Sequence, residues 1–309
     1  MKAALIRQYG TDALKLEDVP QPSPAPDQVL VEIHAASVNP FDWKVRDGLY
    51  KETMPVSFPA ILGGDLAGIV AQVGDEVTNF NTGDKVYGQA NALGHGSFAE
   101  FSSVKASQLA LMPSNLDYIK SASLPLAAVS AYQALIEEAG LKSDQKILIH
   151  GGAGGIGYIA IQIAKNIGAY VGTTVSAAHL DFARQLGVNQ VVDYGSEDFT
   201  KIFKDFDVVF DTVGGSVTSD SYKVLKKGGM LVSMVAQPDT ALAKETGVKF
   251  VSMFTRTTTE RLTKIKEMVE AERLNPHIDK VFSFNEITSA MDYQKTSHPA
   301  GKVVVQIKA

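Results

Sequence analysis

Residues 146–157, Lys146-Ile147-Leu148-Ile149-His150-Gly151-Gly152-Ala153-Gly154-Gly155-Ile156-Gly157, decide the fold of this chain. The opening apolar run has no alternating polar positions, as expected of a strand buried on both faces. It runs into glycines, and beyond them Ile156, Ala160, Ile163, Ala164 and Ile167 recur at the spacing of one helix face. Gly152, Gly154 and Gly157 satisfy G-x-G-x-x-G, a weak signal that the strand before it and the helix after it make specific. In that setting Gly152 permits the tight turn, Gly154 lets backbone amides approach a pyrophosphate, and Gly157 lets helix and strand pack closely. Gly152, Ala153, Gly154, Gly155, Ile156 and Gly157 therefore read as a dinucleotide cradle, with phosphates at the positive end of the helix. The plainer alternative is a glycine turn of structural use only.

Downstream, apolar runs at 170–175, 190–194, 206–210, 230–235 and 249–254 continue the pattern, and the segments between the first five look helical. Buried strands joined by helical crossovers predict a doubly wound parallel-sheet α/β domain. Upstream, residues 1–113 hold short strands such as 29–33 and 67–73 between glycine and proline turn signals. After a helix over 257–274, strand texture resumes at 280–284 and 302–307, with a helix near 287–294. These tail strands suit the first domain better than another βαβ unit. The expected division is a mostly-β domain from 1–117 and 266–309, and a dinucleotide-binding domain from 118–265.

Composition narrows the chemistry. The 309 residues are 45% hydrophobic and 20% charged, ordinary for a globular chain, and the net charge is −5. That acidic balance disfavours nucleic acid as a partner. There is no cysteine, which excludes disulfides, thiol catalysis and cysteine-built metal sites, and the six histidines show no metal-binding spacing. No apolar run approaches the ~18–20 residues of a membrane span. The N-terminal MKAALIRQYG lacks the apolar core of a signal peptide, so a cytoplasmic location is expected.

An NAD site places Asp or Glu about 20 residues past the glycines, accepting from the ribose hydroxyls. Here the second strand ends in Val175-Ser176-Ala177-Ala178, with no carboxylate before Asp181. A 2′-phosphate meets no repulsion there. Ser176 can donate to it, and Tyr194, ending the third strand, can reach the same rim. NADPH is therefore expected over NADH, although no Lys or Arg lies in 176–180 and His179 is the one local cation candidate. Ser176 reads equally as the N-cap of the next helix, and His179 as a solvated helix residue.

Several further motifs stand in order around the glycine turn. They are Val38-Asn39-Pro40-Phe41-Asp42-Trp43-Lys44-Val45-Arg46-Asp47-Gly48, Leu62-Gly63-Gly64-Asp65-Leu66-Ala67-Gly68, Gly83-Asp84-Lys85-Val86-Tyr87-Gly88, Gly96-Ser97-Phe98-Ala99-Glu100-Phe101 and Gly301-Lys302-Val303-Val304-Val305. With residues 144–165, these resemble the medium-chain dehydrogenase/reductase superfamily over essentially the whole chain. The branch is the zinc-free one of quinone oxidoreductases, zeta-crystallins and enone reductases. The resemblance implies a GroES-like catalytic domain and a Rossmann domain meeting at a cleft, with a homodimer formed through the latter. In the zinc alcohol dehydrogenases of this superfamily, a Cys and a His occupy positions that look equivalent to Asn39 and Gly64, and a third ligand falls near Leu126. None of these three residues can replace such a ligand, so no zinc is expected.

Without a Lewis acid, the easier acceptors are those already activated by conjugation. The expected enzyme transfers hydride from nicotinamide C4 of NADPH to a quinone or an α,β-unsaturated carbonyl. The resemblance puts Asn39 beside the nicotinamide, where its amide can donate to substrate or cofactor; turn formation before Pro40 is the alternative. Tyr50 reads as an oxygen donor or as packing, and Lys44 as an acceptor-orienting group or the partner of Asp42. The family pattern places Val213 near the cofactor ribose and Val235 near the nicotinamide, where both read equally as apolar fillers. His34 and His150 read as scaffold, and His95 as a loop residue. Two other readings stay open: an NADPH-binding structural or regulatory protein of the crystallin type, and an enoyl-thioester reductase.

Overall fold

The computed structural model describes residues 1–308 and divides into two compact units. Unit 1 comprises 1–126, 257–272 and the chain from 276 onward; unit 2 comprises 127–256 and 273–275. Sixteen strands run through the described residues. The first eight are β1 (Lys2–Ile6), β2 (Lys15–Asp18), β3 (Gln28–Val38), β4 (Ala60–Ile61), β5 (Asp65–Val73), β6 (Lys85–Gln89), β7 (Phe101–Lys105) and β8 (Leu109–Leu111). Next come β9 (Lys146–His150), β10 (Tyr170–Val175), β11 (Gln190–Asp193), β12 (Phe206–Asp211), β13 (Leu225–Ser233) and β14 (Lys249–Ser252). β15 (Ile278–Ser283) and β16 (Lys302–Gln306) close the set.

In unit 2 the sheet order is β11-β10-β9-β12-β13-β14, and every pair is parallel. Counted from its own first strand this is 3-2-1-4-5-6, the Rossmann order, whose direction reverses at β9. The apolar runs form these strands because helices cover both faces. Ile159, Ala160, Ile163 and Ala164 of the helix Gly157–Ile167 are buried. Gly168, at φ +90°, ends that helix in the left-handed conformation.

Unit 1 is mostly β. One sheet runs β15-β16-β3-β5-β6-β8 with β7 also on β3, and a smaller one runs β2-β1-β4. β16 pairs antiparallel with β3 and parallel with β15, so the tail does enter the N-terminal sheet. The unit borders differ from those expected. The helix Tyr118–Ala122 packs on β3 and β5. The helix Thr259–Glu270 belongs to unit 1 as well: Tyr87 Oη donates to Leu262 O at 2.6 Å, and Ser114 Oγ to Glu270 Oε1 at 2.7 Å. Helical periodicity reads alike on either side of a border; only the packing partner assigns it. Among the described residues, no helix is long and apolar enough to cross a membrane.

Candidate functional site

In unit 2 the glycine turn follows β9 at the point where the sheet order reverses. Gly151, at φ +71°, takes the left-handed conformation that makes the turn, a task the sequence had suggested for Gly152. Gly152 is required for another reason: a Cβ there would stand 2.0 Å from Thr173 Oγ1 on β10. At Gly157 a Cβ would lie 2.2 Å from Gly151 O, so helix and turn approach at backbone distance. Gly154 faces open space, with only Gly151 O near its Cβ position, at 3.4 Å. Ala153 is buried beneath the turn, and Gly155 and Ile156 lead into the helix. Its first amides have no intrahelical acceptors. A helix N-terminus beside open space is what a pyrophosphate needs, and the turn fits that group.

The rim beyond β10 is polar. Ser176 makes no N-cap bond with its side chain; its Oγ lies 3.2 Å from Nδ1 of His179, which is half-buried rather than solvated. Tyr194 N donates to Val175 O at 3.1 Å, so the 58% exposed Tyr194 stands at the same rim. The local carboxylates are engaged. Asp181 accepts from Arg184 Nη1 at 2.8 Å. Asp193 accepts from Ser196 Oγ at 2.7 Å and Gly195 N at 3.0 Å, bonds that hold its pKa below the ordinary carboxylate range.

Asp211, fully buried at the end of β12, organises the opposite rim. Its Oδ1 accepts from the amides of Val213 and Gly214, each at 2.9 Å, and its Oδ2 from Thr218 Oγ1 at 2.6 Å and Ser233 Oγ at 3.1 Å. Ser233 Oγ in turn accepts from the amides of Val235 and Ala236. Val213 and Val235, 54% and 50% exposed, are thus held out from the core and do not fill it. The sequence places Asp211 at a strand end lining the ligand crevice but gives it no role of its own, although an acid closing an otherwise apolar buried run is a signal in itself. His150 is scaffold: it is buried between Thr174 Oγ1 and Ser221 Oγ, and burial pushes its imidazole down to about 4 against the pull of Asp211.

Unit 1 gathers a buried polar cluster from three distant segments. Asn39 precedes the helix Pro40–Arg46, Asp65 heads β5 and Lys302 heads β16. Asn39 Nδ2 donates to Asp65 Oδ2 at 2.9 Å, and Lys302 Nζ donates to Asn39 Oδ1 at 2.5 Å and stands 3.5 Å from Asp65 Oδ2. Ser37 Oγ and the Leu126 amide complete the donors on Asp65, each at 2.9 Å. Asn39 N donates to Asp42 Oδ2 at 2.7 Å. Burial pushes the Asp42 carboxyl up to about 7; the Asn39 amide opposes this, the charge of Asp65 adds to it and that of Lys302 opposes it. Asn39 thus both starts the helix and carries an ordered amide. Lys302 and Asp65 were not among the residues expected at the site. A lone cation heading the strand Lys302–Gln306, whose next three residues are valines, is the signal that could have found Lys302.

The other candidates in unit 1 lie differently. Lys44 does not pair with Asp42, which turns inward; its Nζ lies over the Trp43 ring, 5.6 Å from the centroid. Tyr50 packs on the core and stacks on Phe41 with centroids 5.5 Å apart. His34 stacks on Tyr118 at 4.2 Å, and His95 is exposed in its loop. Of the three positions compared with zinc ligands, Asn39 and Leu126 both bond Asp65, and Gly64 immediately precedes it.

Comparison with known proteins agrees with this architecture. Residues 25–114 match the family described as alcohol dehydrogenase GroES-like domain, and residues 186–305 the family described as zinc-binding dehydrogenase. A 2-methylene-furan-3-one reductase of Solanum lycopersicum is 38% identical, over 99% of this chain and 79% of the relative. A chloroplastic NADPH-dependent alkenal/one oxidoreductase of Arabidopsis thaliana is 34% identical over the same shares. The solved structure of a quinone oxidoreductase from Coxiella burnetii superposes with a TM-score of 0.91 at 34% identity, covering 100% of this chain and 99% of that one. The chain is an oxidoreductase of the medium-chain dehydrogenase/reductase superfamily, in the branch that holds the quinone and alkenal/one oxidoreductases.

Proposed function

We propose that this enzyme reduces a quinone or an α,β-unsaturated carbonyl with NADPH and without zinc. The observation that carries the reading is the glycine turn at the reversal point of the unit 2 sheet, with open space at Gly154 beside the head of a helix. We assign the pyrophosphate to residues 152–157, the 2′-phosphate to Ser176 and Tyr194, the cofactor ribose to Val213 and the nicotinamide to Val235. Bound NADPH supplies hydride. The chain supplies the rest: the Asn39 amide keeps one N–H beyond its bond to Asp65, and we assign that N–H to the acceptor's oxygen as it gains negative charge. An aimed donor of this kind is worth on the order of 10²–10³ in turnover. Lys44, above the Trp43 ring, remains a candidate for orienting the acceptor, and Tyr50 contributes packing against Phe41.

The donor set supports the zinc-free reading. Asn39, Gly64 and Leu126 offer neither thiolate nor imidazole, and the Lys302 ammonium stands 2.5 Å from Asn39 Oδ1, next to where a second cation would have to bind. The purified protein is expected to oxidise NADPH with small quinones or 2-alkenals at a rate that a chelator leaves unchanged. Binding of NADPH with no turnover across quinones, 2-alkenals and cyclic enones would overturn the proposed activity. Activity that disappears with chelator and returns with zinc would overturn the metal-free chemistry. We also infer a homodimer joined through unit 2, where β14 forms an edge of the sheet that is unpaired among the described residues. Light scattering is then expected to give twice the chain mass of 33.1 kDa.

A further inference from the structure

We propose that Lys302 is a positioning residue: its ammonium on Asn39 Oδ1, opposite the Asp65 carboxylate on Asn39 Nδ2, locks the Asn39 amide in the one orientation that keeps an N–H for substrate. The inference rests on the assignment of Asn39 to the acceptor's oxygen. An amide in a neutral pocket can turn by 180° and exchange its donor for its acceptor. Here the exchange would set Oδ1 against a carboxylate and Nδ2 against an ammonium, two repulsive contacts in place of two charge-assisted bonds. The pocket strengthens this bias, because Lys302 is 4% exposed and Asp65 is fully buried.

The cluster is built for this purpose and not for burying charge as such. A buried ion pair rarely stabilises a fold more than apolar residues of the same volume do. Asp65 is nonetheless fully used: Ser37 Oγ, Asn39 Nδ2 and Lys302 Nζ reach Oδ2, and the Leu126 amide reaches Oδ1. Gly301, at φ +83°, turns the chain into β16 so that Lys302 enters the sheet as its first residue. The charged groups acting on Lys302 are Asp65 on β5 and Asp42 on the helix Pro40–Arg46. Burial lowers the Lys302 pKa against their pull, so its proton is lost at a lower pH than that of an exposed lysine.

Lys302→Met removes the charge while keeping the volume. It is expected to lower kcat about 100-fold with a small change in acceptor KM, and to leave NADPH affinity, read by nucleotide fluorescence titration, unchanged. The basic limb of the kcat–pH profile is expected to vanish in this variant, a change that loss of packing alone would not produce. Asn39→Ala combined with Lys302→Met is expected to be no slower than Asn39→Ala alone, since both act through one amide. If Lys302→Met does not fold, Lys302→Gln, neutral but still a donor, is expected to give an intermediate kcat and the same lost limb. A kcat within twofold of the unaltered enzyme, or losses that multiply in the double variant, would overturn the positioning role. If Asn39→Ala itself turns over normally, the assignment of Asn39 fails instead, so the two failures are distinguishable.

Discussion

Asp42 lies in the first turn of its helix, where a carboxylate is ordinarily welcome, yet burial raises its pKa to about 7. In the unfolded chain the same group loses its proton near ~3.9. Between these values the folded state binds the extra proton, so this group's contribution to stability falls as pH rises from about 4 to about 7. The full difference is roughly 4 kcal/mol at about 1.4 kcal/mol per tenfold change. Asp42→Asn keeps an oxygen for the Asn39 amide and removes the titration. Denaturant melts across this range should show the variant gaining on the unaltered protein as pH rises; parallel curves would reject the raised pKa. His150 in unit 2 slopes the other way, its contribution being lost as pH falls from ~6.5 toward about 4, so the two are read by difference. At this scale the sequence singled out Asn39 as a candidate but not the residues that bond it. Nothing local in Asp65 or Lys302 says that residues 39, 65 and 302 converge, because strand pairing brings them together.

The strand, turn and helix over 146–167 form the element that was most legible, because each residue type there answers a local demand. Depth and periodicity mark the strand and helix, and glycine is required at 151 by its positive φ and at 157 by the close approach of Gly151 O. Contacts across strands were less legible: the need for glycine at 152 comes from Thr173 on the neighbouring strand. Two substitutions separate folding from binding within these few residues. Gly152→Ala drives a methyl into Thr173 Oγ1 and is expected to cost about 1–3 kcal/mol in a urea melt. Gly154→Ala meets only an ordinary contact at 3.4 Å, so the melt should move little while NADPH affinity weakens at least tenfold, as read by titration. An NADPH affinity left unchanged by Gly154→Ala would mean that the open space there is not the nucleotide's.

Unit 1 is discontinuous in sequence, and its stability depends on chain that lies beyond residue 256. β16 enters beside β3, where its neighbour on the other side is β15, so β16 is an interior strand of the sheet. Leu262, Ile265, Val269, Ile287, Val303, Val304 and Val305 are all buried. At roughly 1.5–3 kcal/mol for each buried side chain, their removal matches or exceeds the ~5–15 kcal/mol that holds a typical domain together. The protein carries its own reporter of this docking. Its single tryptophan, Trp43, donates from Nε1 to Gln294 Oε1 at 2.7 Å in the tail helix Ile287–Thr296, and Lys295 Nζ lies over its ring. A fragment ending at Arg256 is therefore expected to give red-shifted, water-exposed tryptophan emission and no cooperative change in that emission on heating. Adding the segment 257–309 as a separate peptide should shift the emission back toward that of the whole chain, because the missing strand pairs with an edge that β3 still offers. If the fragment alone keeps the native emission and melts cooperatively, the returning strands decorate unit 1 without holding it together.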